Sequence, residues 1–74
     1  MYTQKNFKKI KVEYLALGDS AVITVENLYG GTDRLSTSAV KDFKYGCGQG
    51  IQITTQHTIY CASEYDIVPG AVID

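Results

Sequence analysis

Apolar residues recur with a period of two over much of the chain. Ala21, Ile23 and Val25 alternate with Val22, Thr24 and Glu26, and Ile51 and Ile53 alternate with Gln52, Thr54 and Gln56. That spacing puts every second side chain on one face, so both runs predict half-buried β-strands. The first runs from about Ala21 to Leu28 and enters a turn at Tyr29-Gly30-Gly31, where paired glycines supply the positive φ of a tight hairpin. A second extended run covers about Thr32 to Tyr45. It is long for a small domain, so a bend or bulge is expected in mid-course, with Ser36-Thr37-Ser38 leaving room for it. Gly46-Cys47-Gly48-Gln49-Gly50 reads as the hairpin connection to the Ile51 strand, with Cys47 exposed at its tip. His57 to Ser63 supplies a fourth strand. Ile67-Val68 supplies a very short fifth, stopped by Pro69-Gly70 and leaving residues 70–74 as a tail.

The N-terminal segment supports two patterns. Phe7, Ile10, Tyr14 and Leu17 fall on one helical face, the lysines lie mostly off it, and Gly18 suits a helix C-cap. Thr3 or Asn6 suits the start. Against this, Ile10-Lys11-Val12-Glu13-Tyr14 alternates as a strand does. The helix over residues 1–17 is the favoured reading, and Gly18-Asp19-Ser20 is a turn by composition.

The expected fold is therefore mainly β, a single domain over residues 1–74. A short N-terminal helix precedes a small, strongly bent five-stranded antiparallel barrel of the SH3-like kind at 21–69. Seventy-four residues bury little apolar area, and chains of this size often gain stability from assembly. A hydrophobic content of 45% nevertheless separates this chain from disordered ones. Net charge is −1, which gives no overall attraction to a polyanion. The distribution is uneven: Lys5, Lys8, Lys9 and Lys11 cluster early, and no Lys or Arg follows Lys44. The early cluster reads first as a solvated face and second as a polyanion patch.

Chemistry-bearing patterns are sparse. Cys47 and Cys61 have no metal-ligand spacing, and His57 has no partner at a telling distance in sequence. The glycine-dense loop lacks the Lys-Ser/Thr and following helix of a phosphate loop. No apolar run reaches the roughly 18 residues of a membrane span, so a soluble cytoplasmic protein with reduced thiols is expected, with no cofactor and no enzymatic activity.

The element order resembles the Sm-like family, which includes Hfq and the LSm proteins. The likeness rests on Val22, Val25, Gly30, Gly31, Asp42 and Phe43 for the first family motif and on Ile59 through Pro69 for the second. The sequence departs from the family where Ser36 replaces a glycine, where Lys44-Tyr45 stands in place of Asn, and where Cys61-Ala62 occupies the place of the family's Arg-Gly or Lys-His. The resemblance implies a homo-oligomeric ring of about five to eight subunits that binds single-stranded RNA. It places the RNA site at Asp42, Phe43, Lys44 and Tyr45, treated as a loop before the third strand, together with Tyr60 and Ser63. Tyr45 would stack a base, although a rim tyrosine packed on the barrel reads equally well, and Phe43 reads first as core. The rival expectation is a small barrel, of phage or other mobile-element origin, that adapts or inhibits a partner protein.

Overall fold

The structure, a computed structural model, describes residues 2–46 and 48–73. Six strands make up the fold: β1 (Thr3–Leu15), β2 (Ser20–Glu26), β3 (Thr32–Ala39), β4 (Asp42–Gly46), β5 (Gly50–Thr54) and β6 (Thr58–Ile73). They form one sheet in the order β3-β2-β1-β6-β5-β4. The chain thus builds two three-stranded antiparallel meanders, β1-β2-β3 and β4-β5-β6, and joins them through a parallel β1–β6 pair.

The mainly β character holds, but the expected helix does not. No helix occurs among the described residues, and the segment read as helical is β1, a central strand paired on both sides. Ile10 and Val12 are fully buried at a spacing of two, whereas Leu17 of the supposed helical stripe is 58% exposed. The reason lies in the partners. A lone helix of this length is marginal in water. An extended β1 instead satisfies the backbone groups of both β2 and β6.

The long run over residues 32–45 does break, and the break shapes the sheet. β3 and β4 run in the same direction, separated only by Val40 and Lys41, yet β3 pairs with β2 and β4 with β5. The two edge strands are therefore consecutive pieces of one extended segment. The sheet must curl until its edges meet at this corner, where Val40 N–H donates to Asp19 O and Gly18 N–H donates to Val40 O, both at 2.9 Å. No ladder joins β3 to β4, and the sheet is not closed into a barrel. Inside the curl, Ile10, Val12, Leu15, Ile23, Val25, Val40, Ile51 and Ile53 form the core together with the smaller Ala21 and Ala62.

Bulges supply the curvature. Between β2 and β3, Ser20–Val22 faces Ser36–Ala39, so β3 carries one extra residue. Thr37 is buried there, and its Oγ1 accepts the Ala21 N–H at 2.9 Å. In β1, Val12–Tyr14 faces only Ile23–Val22, which makes Glu13 the extra residue. Its carboxylate accepts the Thr24 hydroxyl at 3.3 Å and lies 3.5 Å from the Arg34 guanidinium, tying three strands together across the outer surface.

Pro69-Gly70 does not end the chain's last strand. On β6 the step from Ile67 to Val72 faces only Val12–Tyr14 of β1, so the residues between bulge outward before Val72 and Ile73 rejoin the ladder. Pro69 needs no hydrogen-bond partner in that bulge, and Gly70 takes a φ of 86° there. The expectation of five all-antiparallel strands thus becomes six in a mixed sheet. The expectation for Cys47 lies outside the described residues.

Candidate functional site

Residues 42–45 are a strand rather than a loop, and alternation divides them. Phe43 and Tyr45 face Ile53 and Ile51 across the β4–β5 ladder, on the core side. Asp42 and Lys44 face Thr54 and Gln52 on the outer side. The Phe43 and Tyr45 rings stack at 6.2 Å and 13°, and Tyr65 meets Tyr45 edge-on at 5.6 Å. Tyr60 lies opposite Ile53 and stacks on Phe7 at 6.4 Å. Ser63 belongs to a third place, an open cleft of about 400 Å³ between the β4–β5 turn and β6. The six residues singled out in the sequence therefore occupy one sheet but not one site. The sequence reading did not anticipate the roles of Phe7 and Tyr65 in the aromatic row.

Gly50 sets the shape of that cleft. Its φ is 73°, and a Cβ at this position would come within 2.2 Å of Ala62 O. Only a bare backbone lets the turn lie so close to β6. On the opposite rim, Lys9 Nζ lies 2.7 Å from Asp66 Oδ2. The hydrogen bond and charge of Asp66 hold the Lys9 pKa above the ordinary lysine value, and Lys9 holds the Asp66 carboxyl below the ordinary aspartate value. The cleft is thus lined by a neutralised pair, with Glu64 beside it. Cys61 on β6 is half-buried and makes no disulfide, and burial pushes its thiol pKa up. That disfavours the thiolate a nucleophile needs. Among the described residues, no three of His, Cys, Asp and Glu converge as metal ligands would.

The most exposed apolar side chains lie elsewhere, at the tip of the β2–β3 hairpin. Leu28 is 71% exposed and Tyr29 is 97% exposed. Their backbone is nevertheless tightly held. Asn27 Oδ1 accepts from Tyr29 N–H at 2.8 Å and from Gly31 N–H at 3.0 Å, and Asn27 N–H donates to Gly31 O at 2.8 Å. Gly30 completes the turn with a φ of 90°. An asparagine that takes two loop amides in this way makes the tip a preformed shape. The signal for it was present in the sequence: two large apolar residues stand between Asn27 and a glycine pair, where polar residues ordinarily suffice.

Comparison with known protein families, with characterised proteins and with solved structures finds no match.

Proposed function

We propose that the protein is a small β-sheet binding module that docks on a partner protein through the tip of its β2–β3 hairpin. The observation that carries this reading is the exposure of Leu28 and Tyr29 on a loop fixed by Asn27. Tyrosine is among the residues that dominate protein interfaces, because it offers a large rigid surface with one polar atom. A preformed loop loses little conformational freedom on binding, so more of the contact energy appears as affinity. The absence of a strong net charge suits a partner recognised by shape rather than by phosphate attraction. The test is the double variant L28S/Y29S. Its unfolding free energy should stay within about 0.5 kcal/mol of the parent, as for other surface changes. It should also lose a defined protein partner that the parent retains in stoichiometric amount. Equal retention of that partner by both would contradict the reading.

The Phe43–Tyr45 stack favours a second reading, the RNA-binding ring that the Sm-like resemblance implies. Tyr45 is 41% exposed, and an aromatic face of this kind can take a base. Its surroundings are less favourable, because Lys44 lies on the opposite face of β4 and Asp42 shares that face. Fluorescence anisotropy with short U-rich and A-rich RNA distinguishes the two. On this reading, Tyr45→Ala should remove roughly 1–3 kcal/mol per stacked base. An absence of binding at low salt leaves the protein-docking reading alone.

A further inference from the structure

The free edge of β4 is self-complementary, and we infer that two copies of the chain associate by pairing their β4 edges antiparallel about a two-fold axis at Phe43. β4 pairs with β5 on one side and, among the described residues, with no strand on the other. Such an edge presents a row of backbone donors and acceptors to any matching strand. Its usable length is set from both ends. The turn at Gly18 and Asp19 already engages the Val40 backbone, and the β4–β5 turn begins at Gly46. That leaves residues 41–45, whose midpoint is Phe43.

Charge selects the same register. A two-fold pairing about Phe43 sets Asp42 opposite the partner copy's Lys44, and Lys44 opposite its Asp42, on the outer face. Opposite charges directly across a strand pair are favourable, and like charges are not. Shifting the axis by one residue to Lys44 would place the two lysines against each other. A lysine on an edge ordinarily discourages pairing. Here Asp42, two residues away on the same face, turns Lys44 into a selector of register. On the other face the axis brings the two Phe43 rings together, each stacked on a Tyr45 that is 41% exposed in the single chain. The β3 edge offers no equivalent, since its opposite charges, Asp33 and Arg34, are adjacent and therefore lie on opposite faces of the strand. Such a contact is isologous and closes at two copies.

The test is sedimentation equilibrium over a wide protein range, with far-UV circular dichroism to confirm that each variant is folded. The parent should show a species of twice 8.1 kDa that dissociates on dilution. Lys44→Asp places two aspartates opposite each other twice and should weaken association about tenfold or more, and Asp42→Lys should do the same with lysines. The exchanged variant D42K/K44D restores both opposite-charge pairs and should regain the parent's association. A parent that stays monomeric would overturn the proposal. So would single reversals without effect, an exchanged variant no better than either single one, or assembly that appears only when RNA is added. Leu28 and Tyr29 take no part in this contact, so its failure leaves the docking role of the hairpin tip untouched.

Discussion

Gly50 is the residue whose side chain, or lack of one, the fold tolerates least. A methyl group there meets Ala62 O at 2.2 Å and forces a left-handed φ on a chiral residue. Gly50→Ala should cost about 2–4 kcal/mol, combining backbone strain with overpacking. Urea unfolding measures it. Gly48→Ala shares the positive φ without the collision, so it should cost clearly less. At the cleft rim, the Lys9–Asp66 pair predicts a pH signature. Asp66 is depressed, so its contribution to stability is present above its unfolded pKa and lost as pH falls through the folded one. Lys9 is raised, so its contribution is present below its unfolded pKa and lost as pH rises through the folded one. The contribution should therefore be flat across neutral pH. Carbon-detected titration of the Asp66 carboxyl should show a midpoint below the ordinary aspartate range, returning upward in Lys9→Met. An unchanged midpoint would remove the pair from the account. Residues buried in regular alternation, such as Ile23 and Ile53, were legible in the sequence because no helical stripe competed with the period of two there. Leu28 and Tyr29 stood out in the sequence as two large apolar residues before a glycine pair, but their exposure on a loop held by Asn27 follows from the turn's geometry, which residue type alone does not give.

At the scale of elements, the bulge at Thr37 shows how a small polar residue bends a sheet. Thr37 Oγ1 takes the Ala21 N–H that the extra residue of β3 leaves without a ladder partner. Thr37→Val keeps the shape and removes the acceptor, so it should cost about 1–3 kcal/mol, whereas Thr37→Ser should retain most of the stability. A loss in Thr37→Ser as large as that in Thr37→Val would mean that the methyl group matters as much as the hydroxyl, and a Thr37→Val variant as stable as the parent would remove the hydroxyl from the account. The sequence pointed to this bend through Ser36-Thr37-Ser38, and it also pointed to both glycine hairpins. It did not reveal β1. There a helical stripe and a strand alternation coexist over the same residues, and the choice depends on β2 and β6, whose pairing no local window contains. Nor did it reveal that Pro69 marks a bulge, since a proline reads identically at a strand end and at a break in register. Hydrogen exchange checks the result: amides of Ile10 to Val12, flanked by strands on both sides, should be among the slowest in the chain, and those of β3 and β4 faster. Rapid exchange across residues 9–12, or a helical circular dichroism spectrum, would contradict this assignment of β1.

The whole molecule is a curled sheet with its apolar core inside, two open edges and one apolar tip. Neither Leu28 nor Tyr29 belongs to that core, so the docking role proposed for them makes no demand on folding. The edges and the tip lie on different elements, so one copy can pair through β4 while its hairpin remains free to dock. The most direct measurement replaces Tyr29 with a photoreactive phenylalanine analogue, irradiates cells that produce the protein, and treats the adduct separately with nuclease and with protease. A discrete adduct that survives nuclease, is removed by protease and is lost when Leu28→Ser is added is the result this account predicts. An adduct that nuclease removes, or none at all from position 29, would contradict it.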